Sequence, residues 1–247
     1  AVPVFTTAFP TLTRSERAGD WAGFAEEVGR ATRSIAFLTI SSAAALVALS
    51  GPLADLVARG NAADRTVEIG AAMAAFAIGL PGYSMILFLT RVSYAYGDTP
   101  SPTLVNLAVA VLGTVAMWSM VAVVSESGVV TAIGIGFSLA QLIGAAALAV
   151  IVRGKLHREG VRVDGVAVPA ARSLVAAAVG ALGAWLLAEA VLDASPGGGS
   201  GLVAAAVAVA AGGALMVVVT LAVQWVLRGP APMETVRSLG ASRGGSR

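Results

Sequence analysis

Apolar residues run in long uninterrupted blocks along this chain, and polar residues are confined to the links between them. Blocks at 34–57, 69–90, 103–124, 129–152, 173–192 and 202–227 reach the length of about 20 residues that crosses a bilayer's hydrocarbon core as a helix. An earlier run, 2–12, ends near Pro10 and reads as the tail of a membrane helix cut partway along. It lacks the basic start of a signal peptide, so the chain is expected to be a fragment. The pattern predicts an all-α, polytopic membrane helix bundle, with residues 1–228 forming one membrane unit. The tail, 229–247, is Gly/Ser/Arg-rich without a buriable face and is expected to be disordered.

The interruptions within these blocks are as informative as the blocks. Gly51-Pro52 should bend or end the first complete span, because proline removes one backbone donor. Gly79-Leu80-Pro81-Gly82 falls in the middle of the second. Such residues are tolerated in membrane helices where neighbours re-satisfy the freed backbone groups. Pro52, Gly79, Pro81 and Gly82 are hinge candidates, and fixed kinks are the alternative. The four-residue turn 125–128 makes the third and fourth spans an antiparallel hairpin. Gln141, the main polar side chain of the fourth, either faces a cavity or makes an interhelical hydrogen bond worth about 1 kcal/mol. Within the 13–33 link, Trp21, Phe24, Val28 and Ile35 recur at helical spacing with charges between them. That fits an amphipathic helix on the membrane surface with Trp21 at the interface, or a solvent-covered connector.

Composition sharpens the class. Hydrophobic residues are 57% and charged residues 12%, against about 45–50% and about 25% in soluble domains. Cysteine is absent, which excludes disulfides and thiolate metal sites, and a single His157 argues against His-based metal clusters. No cofactor is expected, and no nucleic-acid partner, since the cations sit in loops. Fifteen of the sixteen cations are Arg, a bias expected of a GC-rich genome; Lys155 is the exception. No HExxH, GxSxG, Walker A or pair of intramembrane acids is present, so a transporter is favoured over an enzyme. Glu189 is the charge nearest a span interior, and it falls in a last turn.

Charge also orients the chain. Alternate links carry four cations (Arg14, Arg17, Arg30, Arg33), one (Arg91), five (153–172) and four (228–247), whereas the opposite set carries two, none and none. By the positive-inside rule the first set and the C-terminus face the cytoplasm. Arg91, Tyr94 and Asp98 then stand at the cytoplasmic exit of the second span. Snorkelling, a headgroup-level tyrosine and an Asp-Thr-Pro cap explain them in ordinary terms. Binding an anionic headgroup or latching a gate is the functional alternative.

The stretch Tyr94-Ala95-Tyr96-Gly97-Asp98-Thr99-Pro100-Ser101-Pro102 resembles the YA..DT..P signature after the tenth transmembrane helix of the MviN/MurJ family. Phe9-Pro10-Thr11-Leu12-Thr13-Arg14 and Ala18-Gly19-Asp20 are similar to that family's P-x-L-S segment and A-x-G-D turn. Leu46 to Leu53, Arg59-Gly60 and Gly79-Leu80-Pro81 fit its ninth and tenth helices in order. The resemblance covers roughly residues 5–105.

It implies the fold of the multidrug/oligosaccharidyl-lipid/polysaccharide exporter superfamily, fourteen helices in two lobes, with this chain running from the end of helix eight through helix fourteen. It implies a multi-pass protein of the bacterial inner membrane that flips lipid II, the undecaprenyl-diphosphate-linked peptidoglycan precursor, by alternating access during cell-wall synthesis. The implied partners are lipid II, membrane lipids, an N-terminal lobe and cell-wall synthesis proteins. The family's essential cavity arginines lie in the first lobe and just upstream of Phe9. Its last two helices form an apolar groove for the lipid tail, here 174–192 and 202–227. The signature's usual cation between DT and Pro is replaced by Pro100-Ser101, leaving Arg91 nearest. Arg14, Arg17 and Arg33 at the cytoplasmic entrance are candidates to attract the diphosphate, at about 1 kcal/mol each. A related exporter of polysaccharides or drugs, or a degenerate half kept as a membrane scaffold, would show similar patterning.

Overall fold

The computed structural model describes residues 2–58, 64–195 and 201–227, and their side chains from residue 10 onward except that of Glu126. Arg59-Gly60 and the 229–247 tail lie outside the described residues. The described residues form a helical membrane bundle: α1 (Val2–Arg17), α2 (Trp21–Ala48), α3 (Ser50–Val57), α4 (Thr66–Ala77), α5 (Leu80–Ala95), α6 (Pro100–Val121), α7 (Val129–Arg158), α8 (Ala167–Asp193) and α9 (Leu202–Val226). Six stretches are long and apolar enough to span a membrane, with α4 and α5 counted as one broken span.

The helices overrun the apolar blocks, because a helix satisfies its own backbone and need not stop where the hydrocarbon does. The largest difference concerns α2. Its first half carries the Trp21, Phe24, Val28 and Ile35 stripe, whose spacing alone fits a helix facing the membrane surface or solvent. In the structure Phe24, Val28 and Ile35 are buried in one core with Phe88, Val92, Leu148, Val152 and Leu156 from α5 and α7. The amphipathic pattern is real, but its apolar side meets protein. The far half of α2 turns to a second core, formed with Leu49, α8 and α9. One helix therefore touches both halves of the bundle.

Both broken spans show how the break is satisfied. The first breaks at Leu49, ahead of Pro52, which is buried as the third residue of α3. In a first turn the missing proline N–H costs nothing, since that donor would have no intrahelical partner anyway. The Ser50 hydroxyl donates to the Val47 carbonyl at 3.0 Å beside this break. In the second, Gly79 N–H donates three residues back to Phe76 at 3.1 Å, and Pro81 sits in the first turn of α5. The Ala75 carbonyl receives the Ser138 hydroxyl of α7 at 2.6 Å.

Glycine is required on the facing surface of α5. A Cβ on Gly82 would lie 2.7–2.8 Å from the Gln141 carbonyl group and 2.8 Å from the Leu142 nitrogen. The α5 and α7 backbones thus touch, as small residues allow between membrane helices. Gly82→Ala is expected to cost about 1–3 kcal/mol as overpacking. Gly51→Ala meets nothing within 4 Å and should be neutral or gain up to about 1 kcal/mol in helix propensity. Thermal unfolding in detergent distinguishes them: only the Gly82 variant should melt earlier.

Candidate functional site

The α5–α6 turn is built from its own sequence. Gly97 adopts a left-handed φ of 81°, which a glycine accepts without strain. Asp98 N–H donates to Ser93 and Gly97 N–H to Tyr94, the paired bonds of a Schellman ending. Asp98 Oδ1 then accepts the Ser101 N–H at 3.2 Å, capping the start of α6. Ala18-Gly19-Asp20 repeats this design between α1 and α2. There Gly19 has φ 67°, Asp20 N–H donates to Ser15, and the Asp20 carboxylate accepts the Gly23 N–H at 2.9 Å.

These two Gly-Asp turns meet each other and the end of α7. The Trp21 and Tyr96 rings lie 5.4 Å apart, and Trp21 also meets Phe24 edge-on at 5.9 Å. The Tyr96 hydroxyl donates to Glu159 Oε1 at 2.6 Å. Lys155 pairs with Asp98 Oδ2, and its ammonium stands 5.7 Å from the Tyr96 ring centroid, within cation–π reach. Three separate links are thereby clamped at one end of the bundle.

Electrostatics follow from this packing. Asp98 is buried, which by itself would raise its pKa, but hydrogen bonds from Lys155 and Ser101 outweigh that and hold its carboxyl below the ordinary value. The Tyr96 phenol is pushed upward, first by its hydrogen bond to Glu159 and then by burial.

The structure disperses the other candidates. Arg14 and Arg17 are exposed in the last turn of α1, and Arg33 is half-buried in α2. Arg91 and Tyr94 are exposed on α5, so Tyr96, not Tyr94, joins the clamp. Gln141 lines a shallow groove of about 350 Å³ between α5, α6 and α7 with Tyr83, Asn106 and Thr114. The interhelical hydrogen bonds come instead from Ser138 and from Gln224, whose amide donates to the buried Ser173 hydroxyl at 2.8 Å. Among the described residues no three His, Asp or Glu side chains gather as a metal site. Lys155 and Glu159, neither of them singled out as a candidate from the sequence, complete this clamp; the one hint is that Lys155 is the only lysine among sixteen cations.

Comparison with known proteins agrees with this architecture. The family described as lipid II flippase MurJ matches residues 1–199. A probable lipid II flippase MurJ of Rhizobium meliloti (strain 1021) is 31% identical over 134 residues, covering 53% of this chain and 25% of its own length. A solved lipid II flippase MurJ in an inward closed conformation superposes over 91% of this chain and 43% of its own, with a TM-score of 0.64. Its 15% identity makes that a likeness of fold. The chain thus spans about a quarter of the one and under half of the other.

The clamp's energetics are testable by a double-mutant cycle. Lys155→Met strands a buried carboxylate and should cost about 3 kcal/mol, whereas the Asp98→Asn/Lys155→Met pair should cost less than the sum of its singles. The pH dependence has a definite sign. The folded carboxyl has the lower pKa, so its stabilisation is complete above the ordinary value of 3.8 and fades as pH falls through the depressed one. Melting temperature should drop over that acid window in the unmodified protein, and the drop should shrink in Asp98→Asn.

Proposed function

This chain belongs to the MurJ family of lipid II flippases, and we propose that it forms the C-terminal lobe of such a transporter in the bacterial inner membrane. Residues 1–228 constitute the membrane lobe, completed by an N-terminal lobe, and the Asp98 end together with the C-terminus faces the cytoplasm. The clamp is the observation that carries this reading. It unites at one end the three links whose cations favour that orientation.

In alternating access, two lobes rock about a central path and each must move as a body. Trp21, Tyr96, Asp98, Lys155 and Glu159 lock the cytoplasmic turns of this lobe, so a force on one helix end is carried to the others. Arg14, Arg17 and Arg33 supply positive potential for the diphosphate of lipid II, and Arg91, Tyr94 and Asp98 border the cytoplasmic gate. The breaks at Pro52 and at Gly79-Pro81-Gly82 provide flexure deeper in the membrane. Exposed apolar residues of the last two helices, such as Leu182, Leu186, Val217 and Leu221, offer a surface compatible with a polyprenyl tail. Membrane lipids and cell-wall synthesis proteins are its further partners.

The native gene should restore lipid II exposure on the outer leaflet in a bacterium depleted of its own flippase. Tyr94→Ala and Asp98→Ala should each reduce flipping severalfold while membrane insertion stays normal. Full flipping by both would return these residues to capping alone, and no rescue by the native gene would overturn the transporter reading.

A further inference from the structure

Beyond the clamp, the same end of the bundle carries a second, separate feature. The α7–α8 link folds over a cavity of about 450 Å³ bordered by Arg153, His157, Arg162 and Asp164, with Val161 and Val163 among its walls. Arg153 and His157 are four residues apart, so they share one face of α7. All four polar side chains are exposed. The Arg30–Glu27 and Lys155–Asp98 ion pairs both lie outside this cavity.

Its depth and charge are specific. The block 129–152 carries no charge, and Arg153 is the first cation after it. Counted from Gln141 near the middle of the span, Arg153 lies about 18 Å along the helix at 1.5 Å per residue. The hydrocarbon half-thickness is about 15 Å, so Arg153 reaches headgroup level. The two guanidiniums outnumber the one carboxylate, leaving one net positive charge without counting His157. A phosphodiester carries one negative charge, and an arginine fork matches its oxygens. The valines supply an apolar wall of the kind a glycerol backbone or acyl stem covers, which a free phosphate ion has no means to use.

We propose that this cavity is a binding site for the phosphodiester headgroup of an anionic phospholipid, held by Arg153 and Arg162 with His157 beside them. The site does not depend on which substrate the lobe helps to move. It would fix the α7–α8 link, and with it the start of α8, against the membrane surface.

The test uses the protein expressed from its native gene, purified in detergent and exchanged into nanodiscs of phosphatidylcholine with or without phosphatidylglycerol. Lipid retained after mild delipidation is read by native mass spectrometry. Phosphatidylglycerol should be retained over phosphatidylcholine, and Arg153→Gln and Arg162→Gln should each weaken that preference about fivefold, the effect of one basic residue at an anionic surface. Arg172→Gln, a cation of the same region outside the cavity, should leave it unchanged. Equal loss in all three variants would reduce the effect to general surface charge and overturn the site. Displacement of the lipid by millimolar inorganic phosphate would also overturn it, by assigning the cavity to a soluble anion. Unchanged elution on size exclusion keeps misfolding out of the comparison.

Discussion

Asp98 serves three helices with one backbone N–H and one carboxylate, and the arrangement of this end of the bundle depends on it. Its backbone closes α5, one oxygen caps α6, and the other pairs with Lys155 from α7. Helix ends at a membrane surface leave donors and acceptors that must be met by side chains, by water or by one another. Meeting them with a buried carboxylate is costly unless a cation stands opposite. Lys155 is that cation, and its placement in turn fixes the last turns of α7 beside Tyr96. The Asp20 turn shows the same capping design without the ion pair, and it is joined to the cluster through Trp21 instead.

Away from that end, cohesion has a different origin. Lipid tails are as apolar as leucine, so membrane helices gain little from burying large side chains against each other. This bundle relies on close backbone approach. Gly82 meets α7 at main-chain distance, and between α8 and α9 Gly212 approaches the Ala184 carbonyl while Gly180 faces Met216 and Thr220. Hydrogen bonds from Ser138 and Gln224 then fix the register of helices that packing alone would let slide. Polar groups inside the spans act as pins here, whichever of them also faces a transport path.

Much of this was legible from residue order. Six long apolar blocks pointed to a helical membrane bundle, and six helical stretches are long and apolar enough to span, because the hydrocarbon interior disfavours charge over about 20 residues together. The Gly97-Asp98 turn was legible as a cap, since its chemistry is local. Three things were not. The start of α2 was misplaced because an amphipathic stripe looks the same whether it meets lipid headgroups or α5 and α7. The Asp98–Lys155 pair joins positions 57 residues apart, and no local pattern announces such a partner. Gln141 drew attention as the larger polar side chain, yet Ser138, one turn away, makes the interhelical bond. A hydroxyl's role depends on a carbonyl left free on another helix, and that is a tertiary fact.

The two ends of the bundle are held together differently. At the Asp98 end, aromatic contacts, a tyrosine–glutamate hydrogen bond and an ion pair tie three links together. Toward the other end, α2 and α4 both break, and grooves of about 520 and 690 Å³ open beside α4 near Glu68. Discrete arrangements of packed elements change at breaks and loosely filled seams, since close-packed contacts resist continuous deformation. The serines at the two breaks, Ser50 and Ser138, hold the relevant carbonyls in the present arrangement. The first ties α3 to the end of α2, and the second ties α4 to α7.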